Sequence, residues 1–245
     1  MRANGLQARV AWVWSKLMVK GPSDSGKSTA WAAGVQNPLF TMYRAISEDD
    51  IPHTVIAAYT YQLPFGPGRK YGAGMNPVLG KFVSGWGVSG MQRYDSGRPL
   101  AITMNNNMGG LIFNGAKFPN NTCNGSWTGG KFDPATDRYW NSSCWSNPDV
   151  LSPTGAVLDY IFGNAPVNDA HARTFPLFNE DISLIKDTFF RGERFKVRFE
   201  AQFGNIFNRT FLCNPNTNWS SGDFGKVGAQ CNIPRRIQFG LRVDF

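Results

Sequence analysis

The chain contains no uninterrupted apolar run of the roughly 18 residues that a membrane-crossing helix needs, so a helical span is excluded. That absence leaves a membrane β-barrel open, because barrel strands carry only an apolar alternation. Charge is scarce as well, at 17% Asp, Glu, Lys and Arg, which removes much of the Glu and Lys that long helices use. Only two histidines, His53 and His171, are present, which leaves little for a histidine-based triad or metal centre. The four cysteines show no C-x-x-C spacing, so a structural zinc site has no support. Asp133, Asp137, Asp149 and Asp169 share a long loop but lack the D-x-D-x-D-G spacing of a calcium loop, and surface solvation is the better default. No metal or other cofactor is expected.

What is abundant is Gly, Asn and aromatic residues, the last at 14%, which is a strand-and-loop composition. The last stretch, Arg236 to Phe245, organises the reading. Ile237, Phe239, Leu241, Val243 and Phe245 alternate with Gln238, Gly240, Arg242 and Asp244, giving a strand with one apolar and one polar face. A soluble antiparallel sheet could use the same pattern. Upstream, Gly5 to Lys16, Ile51 to Leu63, Phe82 to Thr103 and Phe178 to Asp187 also read as strands, the third bent near Gly97-Arg98-Pro99. The clearest follows a turn at Phe189 to Glu193. Phe195, Val197, Phe199, Ala201 and Phe203 face one way, and Arg194, Lys196, Arg198, Glu200 and Gln202 the other. The net charge of +8 is therefore spread along a solvated polar face, and no nucleic-acid partner is expected. Long irregular stretches cover residues 18–50, 104–177 and 208–234, whereas 64–81 and 188–193 are shorter. This alternation predicts an all-β, antiparallel up-and-down meander of about six strands with long loops on one rim.

The order and spacing of several segments carry a resemblance. They are Gly5 to Lys16, Asp50 to Arg69 and Gly85 to Leu100, then N-E-D-I-S-L-I-K at Asn179 to Lys186, R-F-E-A-Q-F-G-N-I-F-N at Arg198 to Asn208, and G-D-F-G at Gly222 to Gly225. Together with the ending on Phe245, they resemble the C-terminal barrel portion of TonB-dependent outer-membrane receptors of the Oar-like type. The resemblance implies residence in the outer membrane of a Gram-negative cell, in contact with its lipid. It implies a barrel of about 22 strands, of which residues 1–245 would form one transmembrane segment. The function implied is energy-coupled uptake of a bulky ligand, not catalysis. The implied partners are the rest of the barrel and a plug, a TonB-type energy-coupling protein that grips an N-terminal box, and the barrel-assembly machinery. For that machinery Phe239, Leu241, Val243 and Phe245 are the C-terminal signal. Because Met1 is followed by mixed polar sequence and not by the apolar core of a signal peptide, the expectation is a truncated chain, with signal, plug and earlier strands outside it.

Cys123 and Cys144 fall within one long loop, and Cys213 and Cys231 within another, which suggests two local disulfides. Each would constrain its loop by about 3 kcal/mol. Four cysteines allow three connectivities, and the local one needs no contact between loops. Trp127, Tyr139, Trp140 and Trp145 in the largest loop are the candidates for ligand contact; the plainer reading is that they pack the loop. Trp12, Trp14, Tyr59, Tyr61, Trp86, Phe207 and Phe245 are candidates for interfacial girdles. One motif argues for different chemistry: Gly21-Pro-Ser-Asp-Ser-Gly26-Lys27-Ser28 matches G-x-x-x-x-G-K-[ST], whose amides, lysine and hydroxyl would hold phosphates and Mg²⁺. Gly34 and Pro38 cut short the helix that should follow, and no strand-helix alternation surrounds it, so the match is read as coincidental. Two alternatives to transport remain. One is a structural or adhesive β-protein that binds through its tied loops, and the other is a P-loop nucleotide-binding protein.

Overall fold

Two-residue periodicity sets the architecture, because residues that alternate apolar and polar bury or expose a whole face only when extended. The computed structural model describes residues 2–3, 5–20, 44–107, 117–161, 163–190 and 194–245. Six long strands form: β1 (Leu6–Trp14), β2 (His53–Gln62), β3 (Trp86–Asp95), β4 (Leu177–Phe190), β5 (Phe195–Gly204) and β6 (Arg236–Asp244). Each is antiparallel to its neighbour in sequence, and the short strand Arg2–Ala3 on β1 completes a seven-stranded sheet. The meander read from the sequence is present.

Register places the two faces. One row runs Ala8, Tyr59, Gly90, Ile182, Phe203 and Ile237; the next runs Leu6, Tyr61, Val88, Leu184, Ala201 and Phe239. Every apolar alternation seen in the sequence therefore falls on one continuous face. Gln7, Arg9, Thr60, Ser89, Asp181, Gln202 and Gln238 share the other, where Arg198 grips Asp187 at 2.7 and 2.9 Å. Tyr59 lies across Gly90, where a β-carbon would meet its ring at 2.6 Å. On the apolar face, Phe239 and Leu241 are 68% and 71% exposed.

The long connections, 15–52, 96–176 and 205–235, all leave from one rim, and the shorter ones from the other. The segment between β2 and β3 departs from the strand-like reading given to Phe82 and its neighbours. Pro77–Val83 is a short helix, α1, capped by Asn76, whose side chain accepts from the Val78 amide at 2.9 Å, with Pro77 in the first turn. Asn-Pro followed by Gly85 is the start-and-stop signal that the periodicity reading passed over. The third strand is also shorter than expected. It ends at Asp95, and Pro99–Leu100 turns away to pair with Asp169–Arg173.

Candidate functional site

The described parts of the second and third long connections are folded, not irregular. Residues 96–107, 117–161, 163–176 and 205–235 build a cap on the loop rim around Ile102, Trp140, Cys144, Trp145, Ala172 and Phe224. Short strand pairs staple it: Asn120–Asn121 with Trp145–Ser146, and Val150–Leu151 with Val157–Asp159. Asparagine does much of the remaining work. Asn124, Asn141 and Asn218 each accept the backbone N–H two residues on through Oδ1, closing local turns, and Asn120 and Asn208 accept the amides of Asn164 and Arg235 across the cap. The two loops meet where Thr103 exchanges backbone bonds with Thr217 and Trp219. They meet again where Arg138 donates to the carbonyls of Phe224 and Gly222. The G-D-F-G segment has a local reason: Phe224 enters the core beside Trp145, and Gly225 sits at φ +78 against the Trp140 backbone nitrogen, 2.9 Å from where a β-carbon would stand.

Both disulfides form as the loop-confined pairing expects, Cys123–Cys144 and Cys213–Cys231. The ligand candidates separate into two kinds. Trp140 and Trp145 are 2% and 3% exposed, and their indole N–H groups donate to no acceptor among the described residues, so packing alone holds the two side chains. They are core. Trp127 and Tyr139 are half-buried, and Phe132 and Phe175, not singled out from the sequence, join them. Phe132 touches Trp127, Tyr139 and Phe175, each at 5.5 Å between centroids, and Tyr139 meets Phe175 at 4.6 Å. These edge and tilted contacts form an aromatic shelf leading out of the core. Burial pushes the Tyr139 phenol above its ordinary value.

Ion pairs that sequence reasoning missed fix the cap. Lys117 is wholly buried, with Nζ 2.6 and 2.7 Å from the carboxylate oxygens of Asp149. Asn107 and the Ile161 amide donate to the same carboxylate. Burial pushes the Asp149 carboxyl up, but Lys117, Asn107 and Ile161 outweigh it and hold the group below the usual carboxylate range. Buried Asp50 joins the first long connection to the cap through Arg173 at 2.8 Å, and it accepts the Leu17 amide at 2.7 Å. Glu180 receives Arg209 on both oxygens at 2.9 Å. None of these pairs has a sequence signature, because the partners lie far apart in the chain. Asp133, Asp137, Asp149 and Asp169 do not converge: Asp133 and Asp137 close a local turn, and Asp169 accepts from Asn121 and the His171 amide. Gly21, Gly26, Lys27 and Ser28 lie outside the described residues.

The girdle candidates all occur on the apolar face or at its margins. Trp12 and Trp14 stand toward the loop rim with Tyr94 and Phe178, and Phe207 projects from the turn after β5. Tyr61, Trp86 and Phe245 stand toward the other rim, where Phe190 and Phe195 pair. Tyr59 is nearer the middle. An apolar face fringed by aromatics, backed by a polar face and carrying large loops on one rim, defines a wall of a membrane β-barrel. The family model described as an outer membrane beta barrel domain matches residues 1–238, and the chain belongs to that family. No curated protein and no solved structure matches it. The chain is thus a protein of the Gram-negative outer membrane, with lipid against its apolar face. By the general rule for such barrels the cap is extracellular and the rim bearing α1 is periplasmic.

Proposed function

We propose that this chain forms barrel wall and exterior ligand-binding cap of a TonB-dependent, Oar-like receptor-transporter that takes up a bulky ligand at the expense of inner-membrane energy. The observation that carries the reading is the cap: long loops, each braced by a disulfide and joined into one body through Thr103 and Arg138, present an aromatic shelf over a lipid-embedded wall. A passive pore needs no such body, whereas selective capture does. Trp127 and Tyr139, with Phe132 and Phe175, are the ligand-contact residues in this reading. The wall would be closed by further strands toward the ~22 of plugged transporters, because bare strand edges in hydrocarbon cost several kcal/mol per unpaired group. A plug, a TonB-type coupling protein and the barrel-assembly machinery are its partners, the last through Phe239, Leu241, Val243 and Phe245. No catalysis is assigned to it. The test compares cells lacking this protein, cells lacking the coupling protein and cells lacking both, across growth on limiting nutrients. The reading expects the same growth defect in all three and no open conductance in planar bilayers. A defect independent of the coupling protein, or a steady open channel, would overturn it.

A further inference from the structure

The periplasmic rim carries a feature that neither the barrel wall nor the cap requires. Strand β3 stops at Trp86, but β4 runs on to Phe190, paired with Phe195 of β5. Helix α1 stands beside this overhanging hairpin on its apolar side. Lys186 Nζ donates to the carbonyl of Lys81 at 2.8 Å and to that of Ser84, so a cation satisfies the helix's last turn and fixes it to the sheet. Gly80 is the buried helix position, and a β-carbon there would come within 2.5 Å of the Pro67 ring. The helix thereby leaves its large apolar residues uncovered by the rest of the described chain. Val78, Leu79 and Phe82 are all exposed, an arrangement that water would penalise and that an interfacial lipid layer favours.

Between helix and hairpin runs a groove of about 490 Å³. Phe82 and Val78 form one wall, and Thr188, Phe190 and Val197, all on the lipid-facing register, form the other. Its size falls within the ~300–1,000 Å³ of sites that hold small ligands. The cations at its edge are Lys81, exposed and with its ammonium 5.1 Å from the Phe190 ring centroid, and Lys186, held over Trp86 at 5.7 Å. An apolar slot at the girdle level with an exposed ammonium at its mouth matches a molecule with an acyl tail and an anionic head. We propose that this groove binds one acyl chain of an anionic phospholipid of the periplasmic leaflet, with Lys81 holding the phosphate. The proposal rests on the membrane placement of the wall and not on the transport reading.

The full protein, folded in phosphatidylethanolamine vesicles doped with phosphatidylglycerol, tests it. The probe is either lipid carrying a diazirine on its acyl chain, with adducts mapped by peptide. Phosphatidylglycerol is expected to label Phe82, Phe190 and Val197 above the other lipid-facing positions, and above the phosphatidylethanolamine probe. Lys81→Gln lowers that labelling about fivefold, the effect of one lysine at an anionic surface. Val197→Trp fills the groove and abolishes it, with the folded, heat-modifiable gel band retained in both variants. Uniform labelling along every strand, equal labelling by the two lipids, no adducts in the groove, or labelling unchanged by both variants would each overturn the proposal.

Discussion

The Lys117–Asp149 pair offers the sharpest perturbation of the cap. Both side chains are wholly buried, and Asp149 receives the ammonium at 2.6 Å, the Asn107 amide at 2.9 Å and the Ile161 N–H at 3.0 Å. Removing one member strands the other charge without water. Asp149→Leu leaves a buried ammonium, and Lys117→Met leaves a carboxylate with only two neutral donors. Breaking a buried pair in this way costs about 3–5 kcal/mol, whereas replacing both partners by apolar groups is often close to neutral. The cycle formed by Lys117→Met, Asp149→Leu and the double variant is therefore expected to be strongly non-additive, with the double variant recovering most of the loss. Hydrogen exchange of the peptides around 117–121 and 145–151 in the detergent-folded protein reads the cap's own opening free energy, separately from the barrel. The pH dependence has a fixed sign. Asp149's folded-state pKa lies below its unfolded value of about 3.9, so its contribution is present at neutral pH. That contribution is lost only as pH falls from about 3.9 downward through the lowered folded value. If each single variant costs under about 1 kcal/mol, or the double costs the sum of the singles, the pair does not hold the cap and this reasoning fails.

Opening either disulfide, by Cys123→Ala with Cys144→Ala or by Cys213→Ala with Cys231→Ala, is expected to cost the cap about 3 kcal/mol in local exchange and leave the barrel's heat-modifiable mobility intact. Neighbouring residues on opposite faces should behave oppositely. Leu184→Arg, toward lipid in the middle of β4, costs about 2–4 kcal/mol in urea unfolding from vesicles, and Ser183→Arg on the polar face stays within about 0.5 kcal/mol. Trp140→Ala empties the cap core at about 3–5 kcal/mol and loosens exchange throughout 117–146. Trp127→Ala, half-exposed on the shelf, lowers nutrient-limited growth without loosening that core, whereas Tyr139→Ala, whose ring packs on Trp140 at 4.7 Å, lowers growth and loosens the core in part.

How far the sequence could be read depended on the range of the interaction. Strand faces were legible because alternation is local: every residue from Phe195 to Phe203 lies on the side its parity assigned. The disulfides were legible because each pair is confined to one loop. Helix α1 was missed because its signal is three cap residues, Asn76, Pro77 and Gly85, inside a Gly- and Pro-rich stretch that reads as a turn. The cap was read as irregular because its order comes from contacts such as Arg173 with Asp50 and Thr103 with Thr217, which no local pattern announces. Trp140 and Trp127 are indistinguishable by residue type, and only the fold shows that one fills the core and the other reaches its edge.

The pairing register itself carries the argument that this sheet belongs to a cylinder. On the loop rim the strand ends step from the Trp14–His53 pair, through Tyr94–Phe178, to Phe203–Ile237. On the opposite rim they step the same way, from Leu6–Tyr61, through Trp86, to Phe190–Phe195. In a sheet whose strands stand upright between two flat rims, the ends would lie level along the rows. A steady stagger of both rims in one direction is what strands tilted against a common axis produce, and tilt with shear is the condition for closure. The same stagger brings the aromatics of successive strands to two levels instead of scattering them, because each strand's fringe moves with its ends. A soluble sheet with this alternation would have to cover its apolar face with a second layer. Here α1 and the chain leaving β5 around Arg209 meet only the margins of that face, Phe239 and Leu241 stay 68% and 71% exposed, and lipid supplies the layer.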